Sequence, residues 1–93
     1  MHQRTKLESE IQAQIVAAME AAGWYVVKLI QTSKNGMPDL LCHRAGRTLY
    51  IEVKRPQGAC TMLQLHRHRE LYTAGVPVYV ITSLNGLILN KLL

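Results

Sequence analysis

Two acids and a lysine stand out by type and spacing. Asp39 closes the turn Gly36-Met37-Pro38-Asp39 at the mouth of the apolar pair Leu40-Leu41. Eleven residues after Leu41 comes Glu52, and Glu52-Val53-Lys54 ends the run Leu49-Tyr50-Ile51-Glu52-Val53-Lys54. Side chains alternate faces along a strand, so Leu49, Ile51 and Val53 point one way and Tyr50, Glu52 and Lys54 the other. Residues two apart along a strand are separated by about 6.6–7 Å, which lets the Glu52 carboxylate and the Lys54 ammonium serve one small site. If residues 39–43 pair with 49–54 through the turn Arg44-Ala45-Gly46-Arg47, Asp39 at the start of one strand lies near Glu52 and Lys54 at the end of the other. The three side chains then converge.

Such a set suits metal-assisted phosphodiester hydrolysis. Two carboxylates about 4 Å apart repel by about 4 kcal/mol at an effective dielectric of about 20, and Lys54 neutralises only one of them. A hard divalent cation relieves the remainder. Magnesium takes oxygen ligands, commonly one or two carboxylates plus substrate phosphate and water, and Mn²⁺ can substitute for it. Asp39, Glu52 and the Val53 carbonyl are the candidate ligands. The cation would polarise the phosphoryl group and supply hydroxide, with Lys54 holding the attacking water or stabilising charge on phosphorus. Each residue taken alone has a plainer explanation, Asp39 as a turn acid and Glu52 with Lys54 as a solvated ion pair worth about 0.2–1 kcal/mol. The ordered set is what argues for a site.

That order, G-x-P-D-L-L, then I-E-V-K, then Gln64 on the next helix, resembles the PD-(D/E)xK nuclease superfamily and, within it, the VRR-NUC domain. Pro38-Asp39 match the first half of the motif and Glu52-Val53-Lys54 the second, and Gln64 falls where that family carries its glutamine. The resemblance runs from about residue 8 to about residue 84. It implies a restriction-endonuclease-like α/β fold with an αβββαβ core, a mixed sheet flanked by helices. It also implies a Mg²⁺-dependent endodeoxyribonuclease with Asp39, Glu52, Lys54 and Gln64 as its catalytic residues. Many nucleases of the superfamily carry a further acid on the first helix, a role open to Glu10, which can equally be a solvated flank residue. Short stand-alone chains of this kind resemble Holliday-junction resolvases, and a branched junction with two symmetric strands to cut calls for the two sites of a C₂ homodimer. Larger family members carry fused modules that choose the substrate. None is read here, so cleavage at flaps, at nicks or of linear duplex stays open, as does a DNA-binding module of this fold without turnover.

The 93 residues suffice for a single domain, 1–93, with a thin core, and 48% hydrophobic against 18% charged residues fits a folded chain. There is no phenylalanine, so Leu, Ile, Val and four tyrosines do the packing. The net charge of +5, with a pI near 9.6, favours a polyanionic partner, here DNA. Cys42 and Cys60 form no C-x-x-C arrangement, which predicts reduced thiols in a cytosol. No apolar run reaches the 18 or so residues of a membrane span. The expected location is the cytoplasm of a bacterium or of a phage-infected host.

The supporting elements follow from periodicity. Thr5-Lys6-Leu7-Glu8 fits a capping box, and Leu7, Ile11, Ile15, Ala18 and Ala22 recur at helical spacing up to Gly23. Trp24 to Gln31 reads as a strand, and the loop Thr32-Ser33-Lys34-Asn35-Gly36 then delivers Asp39, with Ser33 and Lys34 either touching a DNA phosphate or forming plain surface. After Lys54, Arg55-Pro56-Gln57-Gly58 ends the strand, and Arg55 adds a candidate phosphate contact. Thr61-Met62-Leu63-Gln64 is a second capping box, which offers Gln64 a structural role beside the catalytic one. That helix runs to about Ala74, with Leu65, Leu71 and Tyr72 expected inward, His66, Arg67 and Arg69 outward towards phosphates, and His68 as a packing residue near the seam. Val76 to Ile81 reads as a strand placed parallel by a right-handed crossover. Asn85-Gly86 then suggests a turn before a last strand or a subunit-pairing surface at Leu87–Leu93.

Overall fold

Alternating apolar residues make Arg47–Val53 (β3) the longest strand of the computed structural model, which describes residues 6–93. Leu40–Arg44 (β2) pairs with it antiparallel in the register Leu40 to Ile51 through Arg44 to Arg47. The connection is the two-residue turn Ala45-Gly46, with φ of 49° and 76°, the left-handed pair that a tight hairpin demands. Tyr25–Lys28 (β1) adds antiparallel to the outer side of β2. Val78–Ile81 (β4) lies parallel on the other side of β3, giving a mixed sheet in the order β1-β2-β3-β4.

The two faces of the sheet are covered differently. Glu8–Ala21 (α1) presents Ile11, Ile15 and Met19 to Leu40, Cys42, Leu49, Ile51 and Val53, and this cluster is the hydrophobic core. Met62–Thr73 (α2), the crossover between β3 and β4, lies on the opposite face, where Glu52 points. The expected α/β fold with helices flanking a mixed sheet is the one that forms.

Three details differ from expectation. Thr5, the anticipated N-cap of α1, lies outside the described residues. The helix starts at Glu8 behind Leu7, which makes no side-chain cap.

The chain end is helical rather than extended. Leu84–Leu89 (α3) begins behind Ser83, whose hydroxyl accepts from Gly86 N at 3.4 Å, so Asn85-Gly86 sits in a first helical turn. Leu87 and Leu92 are fully buried, and the Trp24 indole donates to the Leu92 carbonyl at 2.6 Å. This burial favours a helix over a strand that would have to find a sheet edge.

The third difference is the inner face of α2. Leu65 and Tyr72 are 38% and 57% exposed, and the buried residue of the helix is His68. The face towards the sheet runs Gln64, Arg67, His68, Leu71, and it is polar because it meets Glu52.

Candidate active site

Asp39 is delivered by a loop that must squeeze past α2. Gly36 has φ of 82°, and a Cβ there would stand 2.7 Å from Leu63 Cγ, so left-handed backbone and close approach both demand glycine. Gly36→Ala is expected to lower stability by about 1–3 kcal/mol, read from the urea midpoint, and to slow catalysis by displacing the loop. Beyond Gly36 the chain is fastened. The Asp39 carbonyl accepts from Leu29 N at 2.8 Å, and its carboxylate Oδ2 accepts from Val53 N at 2.7 Å. A residue's N–H and C=O leave a strand on the same edge, so the Val53 carbonyl also faces the Asp39 side.

Glu52 stands next to that bond, only 1% exposed. Its Oε1 lies 3.1 Å from His68 Nε2, while Oε2, also buried, meets no N–H or O–H donor, and a proton on Glu52 has the Asp39 carboxylate as its acceptor. Burial first, and then the adjacent Asp39 carboxyl, push the Glu52 carboxyl up to about 8. Lys54 pulls the other way without prevailing, and the charge of Glu8 pushes further upward. Ionised, Oε2 would be a buried polar atom without a donor, at a cost of about 1–3 kcal/mol, which a cation beside Asp39 would offset. His68 is held below the usual histidine range by burial and by the Lys54 charge. Lys54 is half-buried, its backbone N–H donates to Ile81 O at 3.1 Å, and its charge acts on both Glu52 and His68.

These donors fit a hard divalent cation. Among the described residues no three His, Cys, Asp or Glu side chains gather as a metal-binding group, so the donor set is two carboxylates and one backbone carbonyl. Magnesium prefers such a sparse set, because it keeps several waters and takes substrate phosphate oxygens as well. A cavity of about 470 Å³ bounded by Ile11, Gln14, Pro56, Thr82 and Leu84 contains neither Asp39 nor Glu52.

The other expected residues divide. Gln64 completes the capping box, its N–H donating to Thr61 Oγ1 at 3.1 Å and its Oε1 accepting from Thr61 N at 2.9 Å. Any service to the acids therefore falls to its amide nitrogen. Ser33 and Lys34 lie exposed on the loop before Asp39, and Arg55 and Arg69 are exposed as well. Arg67 does not look outward as expected. Its side chain is 17% exposed, and the guanidinium donates to Asn35 O and to Glu70 at 2.7 Å each, so it braces the Asp39 loop against α2. Glu10 is half-buried in the first turn of α1, and the charge of Glu8 in the same turn registers on Glu52.

Sequence reasoning missed two neighbours and undervalued a third. The apparent capping box assigned Glu8 to the helix end and so hid it. Cys60 lies near enough for the Glu52 charge to act on its thiol, which is raised chiefly by burial, and no spacing rule singles it out. His68 was visible only as one turn beyond Gln64.

No protein-family model matches the chain. A solved structure described as "VRR_NUC domain" superposes with a TM-score of 0.77 at 30% identity, covering 91% of this chain and 91% of that one. "Putative nuclease p44" of Acyrthosiphon pisum secondary endosymbiont phage 1 is 29% identical over 77 residues, 82% of this chain and 83% of its own.

Proposed function

The chain belongs to the VRR-NUC nuclease domains, and on that premise we propose that it is a Mg²⁺-dependent endodeoxyribonuclease acting on branched DNA as a homodimer. The observation that carries the metal-centred reading is the buried Oε2 of Glu52, met by no N–H or O–H donor, beside Asp39. Asp39, Glu52 and the Val53 carbonyl hold the cation, with Glu10 or Glu8 contributing charge from α1. When bound, Mg²⁺ or Mn²⁺ polarises the phosphoryl group and lowers the pKa of water. Lys54 orients the attacking water or donates to a phosphate oxygen as charge builds on phosphorus. The Gln64 amide nitrogen donates to that water. Ser33, Lys34, Arg55 and Arg69 meet neighbouring phosphates, and Arg67 acts by holding the loop.

Several observations support the finer substrate reading. The net charge of +5 favours a nucleic acid. A junction offers two equivalent strands, which two copies of one site match. The α3 residues Ile88 and Leu89, 61% and 73% exposed, offer apolar surface for a second copy. Residues 1–93 act as one domain. Among the described residues no helix is long and apolar enough to cross a membrane, and with a phage relative this supports action in the cytoplasm of a bacterium or of a phage-infected host.

The test is incubation with an end-labelled four-way junction and with a linear duplex of the same sequence, each with Mg²⁺, Mn²⁺ or EDTA. Paired symmetric cuts in the junction alone, abolished by EDTA, are expected. Equal cutting of both substrates would remove junction specificity, and tight binding without cutting under either metal would leave an inactive binding module.

A further inference from the structure

His68 has no part in the chemistry assigned above, yet it occupies the centre of the inner face of α2. It is 7% exposed and stands 3.1 Å from a carboxylate that is itself 1% exposed. Burying an imidazole where a leucine would pack costs free energy unless its polar atoms are used, and the use here is Glu52 Oε1.

We propose that His68 is a positioning residue that donates its Nε2–H to Glu52 Oε1 and thereby turns Oε2 alone towards the cation site beside Asp39. The inference rests on the reading of Asp39 and Glu52 as ligands.

The two oxygens are already distinguished, since Oε1 has the imidazole while Oε2 meets no N–H or O–H donor and lies on the Asp39 side of the carboxyl. A carboxylate free to rotate could offer either oxygen, or both. One pinned at Oε1 offers a single oxygen in a fixed direction, which suits the demanding octahedral geometry of magnesium.

The helix carrying His68 is itself held by polar bonds on either side of it. The Thr61–Gln64 cap fixes its start, Arg67 Nε donates to Asn35 O at 2.7 Å, and the Tyr72 hydroxyl donates to Val78 O at 2.8 Å. The roll and height of α2 are thus fixed relative both to the loop that delivers Asp39 and to β4. The imidazole is carried on that framework. Outer-shell donors of this kind orient the ligand.

The test uses the full chain, counting free Mn²⁺ by its electron paramagnetic resonance signal at one pH. His68→Leu keeps an apolar filler and removes the donor, whereas His68→Gln carries an amide nitrogen at about the reach of Nε2. His68→Leu is expected to weaken Mn²⁺ binding by about 10–100-fold, and His68→Gln to recover most of that loss. Thermal unfolding in EDTA checks that each variant is folded. Should the leucine variant not fold, His68→Asn replaces it, since its amide nitrogen stops near the depth of Nδ1, short of Glu52. The proposal is overturned if the donor-less variant binds Mn²⁺ as the wild type does, or if His68→Gln loses as much as the donor-less variant. Wild-type protein that binds no Mn²⁺ would instead remove the ligand reading, and the proposal with it.

Discussion

Lys54→Ala is expected to lower the rate of DNA cleavage by about two to four orders of magnitude while leaving Mn²⁺ binding nearly intact. In the proposed mechanism the lysine is not a ligand: its charge acts on Glu52 and His68, and its proposed service is to the water and to the phosphate in the transition state. Single-turnover cleavage at saturating Mg²⁺ measures the loss, and a purified variant that cuts at the wild-type rate would exclude Lys54 from the chemistry. Asp39→Asn makes the complementary comparison. The asparagine carbonyl can still accept from Val53 N, the bond that Asp39 makes at 2.7 Å, so the fold is expected to be kept while the charge of the proposed ligand is lost. Both cation binding and cleavage are expected to fail together.

The second large effect concerns stability without metal. Glu52 holds its proton up to about 8 in the folded protein against 4.5 for the ordinary carboxyl. Between those values the native state binds more protons than the unfolded state, so stability falls as pH rises. His68 has the opposite sign, because its lowered pKa makes the unfolded state the better proton binder, but that contribution is confined below 6.5. Glu70, lowered by Arg67, acts below 4.5, and the raised thiols Cys42 and Cys60 act above 9. From pH 6.5 to 8 the Glu52 contribution therefore dominates. Urea unfolding in EDTA should lose up to about 1.4 kcal/mol per pH unit there, and Glu52→Gln should flatten the slope. A wild-type slope that survives this substitution would place the responsible group elsewhere.

The parts of the fold that the sequence made legible are those written in local periodicity. The alternation through Leu49, Ile51 and Val53, the Ala45-Gly46 turn and the Thr61–Gln64 cap each carry their own stereochemical signature, and together they bring Asp39 next to Glu52. What stayed hidden depends on contacts distant in the chain. The polar inner face of α2 is intelligible only once Glu52 is known to lie beneath it, so a search for apolar faces chose Leu65 and Tyr72 instead. Arg67 reads as a phosphate contact until the loop carbonyl of Asn35, 32 residues away, is seen to accept from it. The tail Leu87–Leu93 alternates weakly enough to suit strand or helix. Trp24, whose indole ties down Leu92, resolves that ambiguity from the far end of the chain.

Calorimetric titration of Mn²⁺ into the wild-type protein at pH 7, repeated in two buffers of different ionisation enthalpy, tests the assigned metal centre most directly. Because Glu52 keeps its proton up to about 8 and must lose it to bind a cation, binding is expected with release of about one proton per ion, with both diminished in Asp39→Asn. Binding that releases no proton and is unchanged in Asp39→Asn would contradict that assignment.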